Sequence, residues 1–345
     1  MLKTVLASRR QWQGYAIVIV ILHLLGIWGL ISAASVNPAF WGLGLLAYTF
    51  GLRHAFDVDH IAAIDNTVRK LVEQKRNPLG LGFFFSLGHS TVVFLMVLAI
   101  AFSIHWIQNH MPEMQDIGGV IGASVSGLFL LIIGLVNLVI LVQLFKVFQQ
   151  WRRGEHNHEH VEHLLHNRGF FARLIRPFYG FIKKSWHVYP LGFLFGLGFD
   201  TATEVGLLAI SAGAAKTSIS VFGIISLPLL FAAGMSLLDT ADGMVMTSAY
   251  RWAFKTPLRK LYYNLTVTLL SVIAALLIGM VELTQVLSEK LDAQAPFFKW
   301  LQDLDFGVLG YVLVALFLAA WAISLLAWKW LKVEKPAGGI GMKQG

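Results

Sequence analysis

The chain has 345 residues, of which 57% are hydrophobic and only 13% are charged, and its mean hydropathy is +0.67. Soluble domains carry about 25% charged residues, so this composition excludes an ordinary soluble protein and favours one embedded in a bilayer. A net charge of +8 would favour a nucleic-acid partner in a soluble protein. Here the basic residues lie in loops beside apolar runs, as membrane orientation requires, so we expect no nucleic-acid partner.

The first predicted element is the apolar run Tyr15–Ala34, which Lys3, Arg9 and Arg10 precede. A secretory signal peptide begins in a similar way. This run is long enough to cross a bilayer, and no clear small-residue cleavage pattern follows it. We therefore interpret it as a retained first span.

Eight segments in all have the length and apolar character that a membrane-crossing helix needs, about 20 residues. They are Tyr15–Ala34, Phe40–Asn66, Leu79–Ile104, Ile117–Phe145, Val188–Ala212, Ile219–Tyr250, Leu261–Leu283 and Phe306–Trp328. The sequence therefore predicts an all-α integral membrane protein with eight transmembrane helices. Residues 1–345 are expected to form a single polytopic membrane domain.

The loops between these segments alternate in charge. Lys and Arg are concentrated at residues 69–76, 146–184 and 251–260, and they are scarce at 35–39, 105–116, 214–218 and 286–305. The positive-inside rule places the basic loops and both termini in the cytoplasm. An even number of spans fits this independently, because it puts both termini on the same side. The expected location is the bacterial cytoplasmic (inner) membrane.

One of these loops, the predicted cytoplasmic loop 146–187, contains a histidine-rich segment at residues 155–166. Histidine-rich tracts are typical of weak metal capture near a transport pathway. A solvated polar loop also tolerates histidines, so both interpretations stay open.

The second span carries an unusual density of polar side chains. They are Arg53, His54, Asp57, Asp59, His60 and Asp65. In a regular helix His54, Asp57 and His60 share one face, whereas Asp59 points about 140° away from His54. Asp59 then supports a ligand on another helix, or the helix unwinds here. Imidazole and carboxylate ligands suit a borderline divalent cation. The alternative is a structural ion-pair network in which Arg53 neutralises Asp57.

Three further spans contain polar groups that are costly in lipid and that usually mark a pathway or a site. His89 lies in the third span among small residues, where it is either a metal ligand or a satisfied bundle residue. Asp200 and Glu204 in the fifth span are spaced i,i+4, and Asp239 and Asp242 in the sixth are spaced i,i+3. Such pairs repel unless a cation or a proton lies between them. Capping of a broken helix is the alternative for both pairs.

Three other polar residues in the predicted spans have ordinary explanations. Asn137 and Asn264 are expected to link helices through their amides. Glu282 lies near the end of the seventh span and is expected at the membrane interface.

Short matches between spans predict an inverted repeat. Phe50-Gly51-Leu52 and Phe195-Gly196-Leu197 precede the acidic residues of the second and fifth spans, and Ser-Leu pairs at 86–87 and 236–237 precede His89 and Asp239. The second and fifth spans run in opposite directions in the predicted topology. Many transporters with a site at the membrane midplane are built in this way.

The absence of cysteine limits the metals that such a site would take. Any ligand must be a histidine nitrogen, an oxygen or a methionine sulfur. This argues against thiolate-dominated copper or structural zinc and suits nickel, cobalt, manganese or iron. We expect no prosthetic group, with the metal ion as substrate and the lipid bilayer as surroundings.

Four stretches together resemble the nickel/cobalt transporter family (NiCoT) of bacterial and fungal membranes. They are Arg53–Asn66, Phe85–Val93, Leu197–Glu204 and Gly234–Gly243. The first contains the family's His-x4-Asp-His pattern on His54, Asp59 and His60, with Val58 where the family has Ala. The resemblance implies eight spans and uptake of Ni²⁺ or Co²⁺ into the cytoplasm.

Two other functions are compatible with intramembrane histidines. A membrane metalloenzyme such as a di-iron oxygenase needs several His-rich boxes, but only His54, His60 and His89 lie in the motifs. A cation channel would show no saturable metal uptake that depends on His54. The chain contains no Gly-x4-Gly-Lys-Ser/Thr phosphate loop, so we expect a secondary transporter rather than an enzyme or an ATP-driven pump.

Overall fold

The computed structural model describes residues 2–102, 104–152, 182–197, 221–253, 257–291, 295–304 and 306–331. Within these ranges all regular structure is helical, including one turn of 3₁₀-helix at Ser185–Val188. The helices are α1 (Leu2–Ala34), α2 (Phe40–His54), α3 (Val58–Glu73), α4 (Leu81–Phe102), α5 (Ile104–Arg152), α6 (Tyr189–Gly196), α7 (Val221–Ala253), α8 (Pro257–Lys290), α9 (Pro296–Gln302) and α10 (Phe306–Leu331).

Five helices of the described part are long and apolar enough to cross a membrane. Their apolar stretches are Trp12–Ala34, Leu81–Ala99, Ile117–Val139, Phe222–Arg251 and Thr268–Lys290, and α10 adds the shorter stretch Val308–Ala320. The prediction of an all-α, multi-pass membrane protein is confirmed. Among the five, α4 and α7 are the most enclosed by other helices, whereas α1 leaves most of its apolar surface exposed. The most enclosed part of the helix bundle therefore lies around α4 and α7.

One predicted loop is wrong. Residues 105–116 were expected to connect the third and fourth spans as a loop, but α5 is helical over Ile104–Arg152 and continues beyond the predicted span at both ends. The length of an apolar stretch indicates how much of a helix lies in hydrocarbon, but it does not indicate where the helix ends. A helix can continue into water because its backbone hydrogen bonds are internal.

The second predicted span is interrupted at its centre. α2 ends at His54 and α3 begins at Val58, and Asp57 between them has extended backbone (φ −62°, ψ 140°). The amide of Asp57 donates to the carbonyl of His54 at 2.9 Å, which makes a tight turn. The alternative that the helix unwinds here is confirmed, so the face that His54, Asp57 and His60 would share in a regular helix is not formed.

The break is covered by α10, which approaches it at Gly310. A Cβ atom at this position would overlap the carbonyl oxygen of Phe56. Only glycine allows backbone contact this close, so α10 holds the interruption from outside.

The directions of neighbouring helices follow from the residues that meet. α7 is antiparallel to α1 and to α4, and α8 is antiparallel to α5. The pairs in contact are Gly26 with Leu230, Gly29 with Ser226, Gly82 with Asp239, Ser86 with Ser236, Gly127 with Leu283, and Gly134 with Leu276.

Two other pairs of helices are parallel. α6 runs in the same direction as α4, and α3 runs in the same direction as α7. The contacts are Phe85 with Gly192 and His89 with Gly196 for the first pair, and His60 with Asp239 and Asp65 with Tyr250 for the second.

α3 lies at the centre of these contacts and is buried almost throughout, although it is rich in polar residues. Its carboxylate Asp65 accepts hydrogen bonds from the hydroxyls of Tyr250 on α7 (2.6 Å) and Ser271 on α8 (2.7 Å). Buried polar groups are costly unless they are bonded in this way. These bonds tie α3 to two other helices.

The next turn of α3 is anchored by Arg69. Its guanidinium donates to the hydroxyl of Thr268 on α8 at 2.7 Å and to the side-chain oxygen of Asn137 on α5. Asn137 in turn donates to Asn66. The expectation that Asn137 links helices is confirmed. Together with the bonds of Asp65, this network positions the start of α3, where His60 lies.

Candidate metal centre

Three histidines from three helices meet at the interruption between α2 and α3. His54 is the last residue of α2, His60 lies in the first turn of α3, and His89 lies in α4. One nitrogen of each lies within 4.8 Å of the others. His54 Nε2 and His89 Nε2 are 3.0 Å apart. The geometry brings together the three histidines that the sequence singled out.

The cluster is closed to water on most sides. His60 is 0% exposed and His89 is 4% exposed. Phe85 on α4 packs edge-on against the His60 ring, with centroids 4.9 Å apart, and Phe231 on α7 lies 6.2 Å from His54. Apolar walls around ligating groups lower the local dielectric and control solvent access. The roles of these two rings were not predicted, because an aromatic residue in an apolar span carries no distinguishing signal.

Asp57 is placed to orient His54. Its Oδ2 lies 2.6 Å from Nδ1 of His54, so the ring donates its Nδ1 proton to the carboxylate. The Nε2 lone pair is then available to a metal. A carboxylate behind a ligating histidine is a recurring arrangement that fixes the tautomer and raises ligand basicity. The bond also holds the turn at the end of α2.

Asp239 on α7 faces the same cluster. Its Oδ2 lies 3.5 Å from His60 Nδ1, and its side chain is fully buried. Neither oxygen has a hydrogen-bond partner within the described ranges, and the same holds for both ring nitrogens of His60. Unsatisfied buried groups are rare in native proteins, and a bound ion or an ordered water commonly accounts for them. A cation between the rings and this carboxylate would satisfy them.

Asp59 and Asp242 lie beside the cluster rather than in it. Asp59 Oδ1 accepts the backbone N–H of His60 at 2.9 Å, in the first turn of α3. Asp242 lies one turn beyond Asp239 on α7, where the charges of Asp65 and Asp239 act on it. Its Oδ2 has no hydrogen-bond partner in the part of the chain that is described.

Some predicted features lie outside the described residues. These are Asp200 and Glu204 of the fifth span and the histidine-rich segment 155–166. The fifth span is described as far as Leu197, directly after α6.

One acidic residue was misjudged from the sequence. Glu282 was expected at the membrane interface because it lies near the end of a predicted span. It is 6% exposed and lies inside the bundle on α8, where the charge of Asp59 acts on it. The end of the helix proved to be further along, at Lys290. No pattern in the sequence distinguishes this carboxylate from an interfacial one.

Three imidazole nitrogens and a carboxylate suit a borderline divalent transition metal. A metal ion about 2.1 Å from two nitrogens, with an angle of about 90° between them, places these nitrogens about 3.0 Å apart. The measured separation of His54 Nε2 and His89 Nε2 is 3.0 Å. The cluster is therefore compatible with two adjacent positions of an octahedral ion.

Comparison with known proteins agrees with this chemistry. Residues 40–327 match the family model of NicO, described as high-affinity nickel-transport protein. The chain is 53% identical to the nickel transporter NixA of Staphylococcus aureus over 327 residues, which cover 95% of this chain and 97% of the relative. It is 49% identical to the nickel transporter NicT of Mycobacterium tuberculosis over 329 residues, 92% and 88% of the two chains.

The names of the relatives include cobalt transport as well as nickel transport. The chain is 40% identical to the cobalt transport protein NhlF of Rhodococcus rhodochrous over 331 residues, 92% of each chain. No solved structure matches the chain. The family match covers most of the sequence and includes the three clustered histidines, and the chain belongs to the NicO family of high-affinity nickel-transport proteins.

Proposed function

We propose that this protein is a secondary transporter that takes up Ni²⁺ and/or Co²⁺ across the bacterial cytoplasmic membrane. The observation that carries the proposal is the cluster of His54, His60 and His89 beside Asp239, buried between helices of a multi-pass membrane protein. Groups of this kind are costly in a membrane and are kept where an ion has to pass.

We assign roles to the site residues on the basis of their contacts. His54, His60 and His89 bind the metal directly, and Asp239 supplies an oxygen ligand. Asp57 orients His54 through its 2.6 Å contact. Asp59 and Asp242 are assigned to the pathway beside the cluster. Asp200 and Glu204, which lie outside the described residues, are proposed as further pathway residues from their spacing in the sequence alone.

The proposed topology has eight spans with both termini in the cytoplasm. α2 and α3 together form the second span, α6 begins the fifth, and α10 is the eighth. Successive spans alternate in direction, so two odd-numbered or two even-numbered spans must run parallel. α4 and α6 (third and fifth) are parallel, and so are α3 and α7 (second and sixth), while α1–α7, α4–α7 and α5–α8 are antiparallel. All five relations support the scheme.

The same contacts support an inverted repeat. If the second span corresponds to the fifth and the third to the sixth, the pair α3–α7 corresponds to the pair α6–α4, and both pairs are parallel. Ser86 and Ser236, which occupy matching motif positions, are hydrogen-bonded to each other at 3.0 Å. Matching residues meet in this way near a two-fold axis. In this scheme the histidines belong to the first repeat and Asp239 to the second, so the cluster would lie at the boundary between the repeats, where rocking would expose it to either side.

The membrane potential provides a sufficient driving force. Moving one charge through 100 mV is worth about 2.3 kcal/mol, so a divalent cation gains about 4.6 kcal/mol. At about 1.4 kcal/mol per tenfold, this supports accumulation of about three orders of magnitude.

We propose electrogenic uptake by a single membrane domain, residues 1–345, without an enzymatic activity or a prosthetic group. The loop 146–187, with its histidine-rich segment, would capture metal on the cytoplasmic side.

The test is uptake of radiolabelled Ni²⁺ into proteoliposomes with an imposed inside-negative potential, with Co²⁺, Zn²⁺ and Mn²⁺ as competitors. We expect saturable uptake that rises with the potential and is lost in His54→Ala. His187→Ala, which changes a histidine outside the cluster, is the matched control and should transport normally. Unsaturable flux that is the same in His54→Ala would instead identify a channel.

A further inference from the structure

Five basic side chains come together at the end of α3 that is remote from His60. Three segments that are far apart in the chain supply them: the turn after α3, the residues before the 3₁₀ turn at Ser185–Val188, and the C-terminal part of α7. All five side chains are exposed, and we call them the basic patch; they are Lys75, Arg76, Lys183, Lys184 and Arg251.

Asn77 holds the three segments of the basic patch together. Its side-chain oxygen accepts a hydrogen bond from Arg251 Nη2 at 3.1 Å, and its backbone carbonyl accepts one from the Ser185 hydroxyl at 3.2 Å. Arg76 Nη1 donates to the backbone carbonyl of Lys183 at 3.1 Å. The positive charges are therefore fixed close to one another by tertiary contacts.

The turn after α3 places a lysine where glycine is usual. The amide of Lys75 donates to the carbonyl of Val72 at 2.9 Å, and that of Arg76 donates to the carbonyl of Leu71 at 2.8 Å, which is the Schellman pattern at the end of a helix. Lys75 has a φ of 55°, and no other non-glycine residue of the described part has a positive φ. A side chain costs stability in this conformation, and glycine would not. Strain of this kind points to a function for the side chain that causes it.

The basic patch has no acidic partner within the described part of the chain. None of its five side chains forms an ion pair there, and the carboxylate closest to them in sequence, Glu73, lies 3.9 Å from Arg69 Nε instead. Each guanidinium uses one nitrogen in the bonds described, so its other N–H donors are available to an anion. An anion among these groups would relieve the repulsion between their like charges.

The apolar stretches beside the basic patch indicate its level in the membrane. The stretch Phe222–Arg251 of α7 ends at a residue of the patch, and the stretch Leu81–Ala99 of α4 begins shortly after Asn77. Trp186, two residues after Lys184, is 54% exposed. Exposed tryptophan is typical of the zone where hydrocarbon meets the lipid headgroups. This level favours a lipid headgroup over an acidic segment of a soluble protein.

We propose that the basic patch binds the phosphate group of an anionic phospholipid, such as phosphatidylglycerol or cardiolipin, in the cytoplasmic leaflet. Guanidinium groups donate two N–H bonds to a phosphate at once, and lysines add point charges around it. Basic pockets between membrane helices on the cytoplasmic side bind headgroups of this kind. The choice of leaflet rests on the proposed topology, in which the basic loops are cytoplasmic.

A headgroup bound here would link helices that build the metal centre. The turn after α3 joins the helix of His60 to the helix of His89, and Arg251 lies on the same helix as Asp239. A ligand that binds only the folded protein stabilises it in proportion to its affinity and concentration. An anionic lipid therefore stabilises the bundle by connecting these helices at one end.

The test measures thermal unfolding of the purified full-length protein in uncharged detergent while lipid is added. Phosphatidylglycerol should raise the melting temperature at low salt, and the rise should shrink at high salt because salt screens exposed charges. Phosphatidylcholine, which has no net charge, should have no comparable effect. The dependence of the melting temperature on lipid concentration gives an apparent affinity.

The double variant Lys183→Gln, Lys184→Gln removes two exposed charges and leaves the bonds of Asn77 in place. Its apparent affinity for phosphatidylglycerol should fall about 25-fold, at about fivefold for each basic residue near an anionic surface. The matched control is Lys290→Gln, Lys299→Gln, which removes two exposed lysines from α8 and α9. The control should respond to the lipid as the wild type does.

Lys75→Gly tests the strained position by itself. Without lipid its melting temperature should equal or exceed that of the wild type, because glycine adopts a φ of 55° without strain. Its apparent affinity for phosphatidylglycerol should nevertheless fall about fivefold. A lysine with a structural role alone would not show this combination.

Three results would overturn the lipid site. They are equal effects of phosphatidylglycerol and phosphatidylcholine, an unchanged affinity in the lysine double variant, and stabilisation by glycerol phosphate as strong as that by the lipid, which would identify a soluble phosphate site. No response to any lipid would also contradict the proposal and favour an acidic protein segment. None of these results bears on the proposed transport function, which Co²⁺ binding and Ni²⁺ uptake test separately.

Discussion

His54 Nε2 and His89 Nε2 lie 3.0 Å apart, although His54 ends α2 and His89 lies within α4. The Nδ1 atom of His54 lies 2.6 Å from Asp57 Oδ2, so Nε2 is the ring nitrogen that faces His89. The arrangement brings two imidazole nitrogens close together in a largely enclosed space. This is the feature from which we expect metal binding to follow.

Removal of one nitrogen should weaken metal binding sharply. We expect His89→Ala to lower Co²⁺ affinity by at least about tenfold and to abolish high-affinity Ni²⁺ uptake, since loss of even a supporting partner costs about 10–100-fold. The measurement is Co²⁺ titration by visible absorption. His23→Ala, on α1 outside the cluster, should bind as the wild type does. Equal affinities for both variants would remove His89 from the ligand set.

Asp57 acts through His54, and its loss should leave the three imidazoles in place. Asp57→Asn keeps the side-chain size but removes the charge that holds the His54 proton on Nδ1. We expect Co²⁺ affinity to fall about 10–100-fold, as for other partners of ligating histidines. Asp303→Asn, an exposed carboxylate, is the control. An unchanged affinity would show that His54 is oriented by other contacts.

The interruption between α2 and α3 should depend on a glycine that is remote in sequence. Gly310→Ala places a methyl group onto the carbonyl of Phe56. The backbone of Phe56 cannot move aside as the flexible end of a side chain could. We therefore expect a loss of about 1–3 kcal/mol in stability and a clear reduction in uptake. Thermal unfolding in detergent measures the first effect.

A matched substitution is available on α2. A Cβ atom on Gly42 has no neighbour within 4 Å, so Gly42→Ala should be neutral or slightly stabilising. Equal melting temperatures for Gly310→Ala and Gly42→Ala would show that the contact of α10 with Phe56 does not stabilise the interruption between α2 and α3.

The buried carboxylate Asp65 should contribute to stability rather than to metal binding. Tyr250→Phe removes the 2.6 Å hydrogen bond to Asp65 and leaves the ring in place. Hydrogen bonds to charged groups are worth about 1.5–3 kcal/mol, so we expect a lower melting temperature with normal Co²⁺ affinity. Tyr311→Phe, a half-exposed tyrosine on α10, should melt as the wild type does. Loss of metal binding in Tyr250→Phe would instead place Asp65 on the ion pathway.

The sequence alone determined the class of the protein and singled out the residues of its candidate site. Long apolar segments require helices in lipid, because backbone polar groups have no water to bond there. Charged and imidazole groups within those segments are too costly to be incidental. For these reasons His54, His60, His89 and Asp239 could be selected before any contact was known.

Tertiary structure decided how these residues meet and what each one does. Periodicity assumes a continuous helix, so it could not place the break at Asp57, which depends on how α10 packs against Phe56. It could not separate Asp57, which supports a histidine, from Asp239, which faces the cluster, because both are aspartates in apolar surroundings. Glu282 was misjudged for the same physical reason: its burial depends on the crossing of α5 and α8, and helix crossings are properties of pairs of segments that no single segment encodes.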